Sequence, residues 1–224
     1  MKKTVVYSMS RMIYQTIVPS LNSLLNNGGI DEVFILAQDD DVGLNLPENI
    51  RVINVSNQTW FDPAGPNFNK HWTYMSLMQA VLAKIFPKLD RILNLDIDTI
   101  IKKDLSALWD LDMTDYYFAA APEVNKEHHF DVDYYNCGVT FWNLAKMRAD
   151  KKDDEIIQAL NMTEYKFANQ DAENELCAGK ILALPNEYNV SWYTGLFGPV
   201  RIRHFAAEGW GWFDNDPLVQ MYKA

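Results

Sequence analysis

"RILNLDIDTIIKKDLSALWDLD" spans Arg91 to Asp112. The apolar run Ile92–Leu95 reads as a buried strand, and it ends in Asp96-Ile97-Asp98. Residues i and i+2 of an extended segment point the same way, so both carboxylates share a face. Burying them is costly unless something pairs with them. Two readings follow: a solvated Asp turn capping the next segment, or a hard-oxygen cation site. The second suits Mg²⁺ or Mn²⁺, which also take substrate phosphate oxygens. A calcium loop is excluded. Counted from Asp96, its fifth, sixth and twelfth positions would be Ile100, Ile101 and Ala107, none of which supplies the oxygen ligand or the glycine required there.

Outward from this strand the chain alternates. "TVVYSM" (Thr4–Met9), "EVFILA" (Glu32–Ala37) and "IRVINV" (Ile50–Val55) read as strands. Leu21, Leu24 and Leu25 fall on one helical face that stops at Gly28-Gly29. "WTYMSLMQAVLAKIF" (Trp72–Phe86) has helical periodicity and stops before Pro87. Ser56–Lys70, with Pro63, Gly65 and Pro66, is a long loop. "KKDDE" (Lys151–Glu155) reads as the solvated start of a helix over Ile156–Leu160. Strand, helix, strand, strand, helix, strand predicts an α/β fold on a mixed, mostly parallel sheet flanked by helices. In such sheets ligands bind beyond the carboxyl ends of the strands, where Asp96 and Asp98 fall.

Length and composition narrow the classes. A chain of 224 residues fits one domain, 1–224. A formal charge of −10 disfavours nucleic acid and anionic lipid as partners. Cys137 and Cys177 have no CxxC partner and read as buried thiols. No apolar stretch approaches a membrane span, and Met1-Lys2-Lys3 opens no signal-peptide core, so the expectation is a cytoplasmic protein without a transmembrane segment.

Four blocks in order carry a more specific signal. After the Arg91–Asp112 stretch come "YYNCGVTFWNLAKMR" (Tyr134–Arg148), "NQDAENELCAGKILALPNEYN" (Asn169–Asn189) and "RIRHFAAEGWGW" (Arg201–Trp212). Together they resemble glycosyltransferase family 8, the retaining sugar transferases that include glycogenin and the lipopolysaccharide galactosyltransferases. The resemblance implies a single GT-A type nucleotide-sugar-binding domain. Residues 1–110 would form its nucleotide-binding half, and 111–224 its donor-sugar and acceptor half. It implies transfer of a hexose, glucose or galactose, from a UDP-linked donor to a glycan, lipid-linked or protein acceptor that the blocks do not identify.

By the same resemblance Asp96, Asp98 and His204 hold Mn²⁺ (or Mg²⁺) with the donor diphosphate. Gln170 would face the oxocarbenium-like sugar carbon, and Asp171 would orient the sugar or act as base. Asn136 would hydrogen-bond sugar hydroxyls, and Gly138 would let the backbone pass close beneath them. Ser8 and Gln79 complete the donor-binding set. No carboxylate nucleophile is evident, which leaves front-face attack and double displacement both open.

Three departures bear on the donor. Ser10 and Arg11 stand where many relatives have paired Asp residues, Gln79 where an Arg is common, and Trp210 where a phosphate-binding Lys is common. Lys70, Lys84 and Arg203 are candidate substitutes. Trp192, Tyr193, Trp210 and Trp212 are expected near the cleft, with Trp210 or Trp212 lining it. Acceptor contacts are expected from Ser56–Lys70, Glu123–Asp133 and Ser191–Pro199. The alternatives are a sugar-nucleotide-binding protein with little turnover and a dehalogenase-type phosphatase, which also follows an apolar strand with Asp-x-Asp.

Overall fold

The structure is a computed structural model that describes residues 2–70, 73–124, 133–195, 198–206 and 210–223, with backbone alone at 210–212. The elements run β1 (Thr4–Ser8), α1 (Val18–Asn27), β2 (Glu32–Ala37), β3 (Ile50–Asn54), α2 (Leu82–Ile85), β4 (Arg91–Leu95), β5 (Thr99–Ile101), β6 (Phe118–Pro122), β7 (Tyr135–Asn143), α3 (Leu144–Asp150), α4 (Lys152–Met162), α5 (Asn169–Leu176), β8 (Ile181–Ala183), β9 (Ile202–His204), α6 (Trp210–Asn215) and α7 (Pro217–Gln220). A seven-stranded sheet has the order β3-β2-β1-β4-β7-β6-β8, and β5 pairs with β9 in a separate ribbon. The run β3-β2-β1-β4 is parallel, β7 is antiparallel to β4 and β6, and β8 is parallel to β6.

Burial on both faces explains why the strands read as continuous apolar runs. Val6, Leu36, Ile92, Phe118 and Trp142 face α2, α4 and α5. Their strand neighbours Val5, Tyr7, Ile35, Leu93 and Phe141 face the other way, toward α1. No helix among the described residues is long and apolar enough to cross a membrane. Both cysteines are free and buried.

Three local expectations change. Most of the Trp72–Phe86 segment winds as a 3₁₀ helix over Tyr74–Val81, with α geometry only in α2. Tyr74, Met75 and every residue from Leu77 to Ala83 are buried, so packing on all sides, not an amphipathic stripe, sets the winding. Leu25 is 37% exposed while Leu21 and Leu24 are buried, so it lies off the core face of α1. The Lys151–Glu155 run is not wholly solvated, because Asp153 is buried and pairs with Lys84 at 3.4 Å.

Candidate active site

β4 delivers Asp96 and Asp98 to the carboxyl end of the sheet, and β5 then turns back to pair with β9. The register sets Thr99 opposite His204, and Phe205 N–H donates to Asp98 C=O at 2.9 Å. A residue about a hundred positions downstream is thus brought to the Asp pair by a three-residue ribbon. His204 Nε2 lies 3.3 Å from Asp98 Oδ1 and 3.7 Å from Asp96 Oδ2. One ligand atom from each of the three residues falls within 4.8 Å of the others.

Gly138 makes room for this cluster. A Cβ there would sit 2.1 Å from His204 Cε1 and 2.9 Å from Asp96 Oδ2. The three ionisable groups perturb one another. Burial raises the Asp96 carboxyl, His204 opposes the rise and Asp98 adds to it, although nearly half of the Asp96 side chain still reaches the cavity. Burial alone would lower the His204 imidazolium, but Asp98 and Asp96 outweigh it and raise it. Two carboxylates and an imidazole with its Nε2 toward them form a donor set that fits Mn²⁺ or Mg²⁺.

The cluster opens into a cavity of about 370 Å³, a size suited to a small ligand. Ser8, Gln79, Asn94, Asp96, Asp98, Asn136, Gly138, Gln170 and His204 all line it, with Glu123, Asn169 and Tyr193. Ser8 Oγ and Asn94 Nδ2 are buried there with no hydrogen-bond partner. Nothing in the pattern of the strand "RILNL" marks Asn94, because it occupies an ordinary core position of β4.

Asn136, Cys137 and Gly138 leave the sheet register. β7 pairs Thr140 with Ala120 but Tyr135 with Pro122, so β7 carries extra residues between the two pairs. Bulges of this kind leave backbone groups unpaired and are frequent beside active sites. Side-chain amides take up the freed groups. Gln170 Oε1 accepts from Cys137 N–H at 2.9 Å, and Gln79 Nε2 donates to Cys137 C=O at 3.0 Å. Asn174 accepts from Tyr135 N–H and donates to its C=O. Gln79 therefore grips β7 at the position where the resemblance implies a donor-binding Arg.

Asp171 stands apart from the other expected site residues. It is not among the described residues lining the cavity. Its Oδ1 accepts from Tyr134 O–H at 2.5 Å and its Oδ2 from Phe167 N–H at 2.8 Å, an arrangement that fixes the first turn of α5. Ala168, just before Asn169 and Gln170, has φ of +45°, a strained conformation for a residue with a Cβ.

The candidate substitute cations do not reach the cavity. Lys84 pairs with Asp154 at 2.6 Å and with Asp153. Lys70 bonds Tyr165 C=O and pairs with Glu164 at 3.3 Å. Arg203 donates to the Val190 and His204 carbonyls and lies over the Phe205 ring. No Lys or Arg lines the cavity among the described residues.

The expected acceptor segments divide. No residue of Ser56–Lys70 lines the cavity, and Asn67 ties that loop to the Leu160 and Thr163 carbonyls at the C-terminal end of α4. Tyr193 lines the cavity, and Trp192 beside it is 64% exposed. The side chains of Trp210 and Trp212, and residues 125–132 and 196–197, lie outside the described residues.

A profile of glycosyl transferase family 8 matches residues 36–205. The chain belongs to glycosyl transferase family 8. Curated relatives include a putative glycosyltransferase of Haemophilus influenzae, 28% identical over 55% of this chain and 42% of the relative. Another is the lipopolysaccharide 1,2-glucosyltransferase of Escherichia coli, 32% identical over 45% of this chain and 33% of the relative. The matches thus span less than half the length of these relatives. Among solved structures, the galactosyltransferase LgtC in complex with donor and acceptor sugar analogs superposes over 99% of this chain and 96% of its own, with a TM-score of 0.71 and 19% identity. The bifunctional glycosyltransferase WbbM superposes over 100% of this chain and 50% of its own, with a TM-score of 0.78 and 17% identity. At such identities the likeness speaks to fold, and the fold is GT-A. Family membership sets the dehalogenase-type phosphatase aside.

Proposed function

We propose that this chain is a metal-dependent, retaining glycosyltransferase that moves a hexose from a UDP-linked sugar to an acceptor hydroxyl. The observation that carries the reading is the convergence of Asp96, Asp98 and His204 on one point at the strand ends, inside the cavity of a family 8 chain. Glucose and galactose are the favoured sugars, because the relatives include a glucosyltransferase and a galactosyltransferase by name.

Asp96, Asp98 and His204 would hold Mn²⁺ or Mg²⁺. Bound there, the cation supplies positive charge beside the donor diphosphate as the sugar–phosphate bond weakens. The residues themselves do the rest. Asp96 and Asp98 place that charge at the strand ends. The clamped Cys137 backbone holds Asn136 and Gly138 rigid under the donor. Gln170 lines the cavity with its amide oxygen anchored by Cys137 N–H, and the second lone pair of that oxygen would stabilise an oxocarbenium-like carbon. Ser8 and Asn94 line the cavity, with Ser8 Oγ and Asn94 Nδ2 buried and unpartnered in its wall. Asp171, held by Tyr134 and Phe167, acts by fixing α5 and with it Gln170.

A sugar-nucleotide-binding protein with little turnover is the second reading. The absence of Lys and Arg among the described cavity residues favours it, since fewer groups would offset leaving-group charge.

A thermal-shift panel of sugar nucleotides with and without Mn²⁺ tests the proposal. A donor present at 100 times its Kd adds about 2.7 kcal/mol of stability. The expected result is a shift with one UDP-hexose that needs Mn²⁺, and product from it that keeps the α anomer by NMR. No shift with any sugar nucleotide, or a β-linked product, would overturn it.

A further inference from the structure

Three polar side chains, Glu123, Asn136 and Asn189, run in a line from the cavity wall to the back of His204. Asn136 Nδ2 donates to Glu123 Oε2 at 2.7 Å, and Asn136 Oδ1 accepts from Asn189 Nδ2 at 2.8 Å. Asn189 Oδ1 then faces His204 Nδ1 at 2.8 Å. Asn189 and His204 are both buried. In the sequence Glu123 stands only as the first residue of an expected acceptor segment, Asn189 only as the last residue of a block of the resemblance, and Asn136 only as a sugar contact.

The direction of each bond in this line is forced. The Gly138 backbone N–H can only donate, and it meets Asn136 Oδ1 at 3.0 Å. A Glu123 carboxylate can only accept, and it meets the other end of the same amide. Two independent neighbours therefore agree on which end of Asn136 is oxygen. That oxygen requires a donor from Asn189, so the Asn189 amide nitrogen points to Asn136 and its oxygen points to the imidazole. An amide oxygen only accepts. The hydrogen between Asn189 and His204 therefore sits on Nδ1, and a neutral His204 keeps a bare Nε2 lone pair, the face turned to Asp96 and Asp98.

We infer that Asn189, oriented by Asn136 and Glu123, is a positioning residue that locks His204 in the Nδ1–H tautomer and so reserves Nε2 for a divalent cation. The metal part of this inference rests on the cation site proposed above; the tautomer part rests on the hydrogen bonds alone. Imidazole ligands commonly donate their second N–H to an oxygen acceptor, which fixes ring orientation, and loss of that acceptor typically weakens metal affinity about 10- to 100-fold. The usual acceptor is a carboxylate, a carbonyl or water. Here a neutral side-chain amide does the task, with the carboxylate moved two residues back along the line. Asn136 then has its oxygen committed to the protein, and its position under the donor serves the imidazole as well as the sugar.

The test has two independent readouts. The first is long-range ¹H–¹⁵N NMR of ¹⁵N-histidine protein, metal-free and at pH 9, with His204 assigned by its loss in His204→Gln. The expected spectrum shows a protonated Nδ1 and an unprotonated Nε2. Asn189→Ala should lose the pure Nδ1–H pattern, whereas Asn189→Asp, which keeps an acceptor at that place, should retain it. An Nε2–H tautomer in the unmodified protein, or an unchanged Nδ1–H pattern in Asn189→Ala, overturns the inference. The unmodified protein suffices for the first of these outcomes, so a misfolded variant does not protect the idea. The second readout is Mn²⁺ affinity by calorimetry, where Asn189→Ala should bind about 10- to 100-fold more weakly. Equal affinity overturns the positioning role. Absence of Mn²⁺ binding to the unmodified protein with the Nδ1–H tautomer present would instead overturn the cation site.

Discussion

Gly138 and His204 touch so closely that a single methyl group cannot fit between them: a Cβ at 138 would lie 2.1 Å from His204 Cε1. The glycine sits in the irregular part of β7, and its C=O accepts from Asp96 N–H at 2.8 Å. Backbone on one side and a buried imidazole on the other leave no direction in which to yield. Gly138→Ala is therefore expected to push His204 off the Asp pair and to cut Mn²⁺ affinity at least 10-fold by calorimetry. Affinity unchanged within twofold would show that the imidazole is not held where the cation binds.

Burial is the main cost of ionising Asp96 in the metal-free protein, His204 offsets part of it and the Asp98 charge adds to it. Asp96→Asn removes that cost. The metal-free variant is expected to melt no lower than the unmodified protein, and up to a few degrees higher, while losing its response to Mn²⁺. A shift of 1 kcal/mol corresponds to about 2–4 °C for a chain of this size. A clear fall in Tm would mean that Asp96 supports the fold rather than a ligand.

Glu173 gives the fold a pH dependence. It is fully buried in α5, with Cys137 and Asn169 as its polar side-chain neighbours. Burial pushes its carboxyl from the ordinary 4.5 up to about 8. The folded state thus keeps a proton that the unfolded chain releases above about 4.5, so stability is fully present below that pH and declines as pH rises toward 8. Glu173→Gln removes the titrating group. Its Tm relative to the unmodified protein should rise steadily between pH 5 and 8. Parallel curves would show that Glu173 does not carry the proton.

Asn94 should separate binding from stability. Its Nδ2 is buried in the cavity wall without a partner, a cost of about 1–3 kcal/mol in the free protein. Asn94→Ala relieves that cost and leaves a small void, so the two effects on stability nearly cancel. Donor affinity is expected to fall about 10-fold, as one lost hydrogen bond of about 1.4 kcal/mol would give. A Tm loss of many degrees with unchanged donor affinity would assign Asn94 to the core instead.

The legible parts of the molecule were those with a local signature. Asp96 and Asp98 stand out because carboxylates rarely end an apolar run, and β1, β2 and β4 because burial on both faces leaves an unbroken apolar string. The illegible parts depend on partners distant in the chain. β5 and β9 are three residues each, too short to show a period, yet their pairing brings His204 to the Asp pair. Asn189 acts on His204 directly and Glu123 acts through Asn136, and no spacing rule links positions 123, 136, 189 and 204. Leu25 fits the apolar stripe of α1 by spacing but meets solvent, because the stripe is wider than the face the sheet covers. The Tyr74–Val81 segment has helical periodicity, but burial on every side lets tertiary contacts choose its pitch.

Sugar transfer is expected to require a divalent cation held by Asp96, Asp98 and His204. The most direct test of this requirement is the rate of UDP release from the UDP-hexose that the thermal-shift panel selects, with Mn²⁺ and with EDTA, in the unmodified protein and in Asp98→Ala. Turnover is expected with Mn²⁺, with loss in EDTA, recovery on adding Mn²⁺ back, and no recovery in Asp98→Ala despite an intact fold. Turnover that persists in EDTA, or that survives in Asp98→Ala, would contradict the requirement.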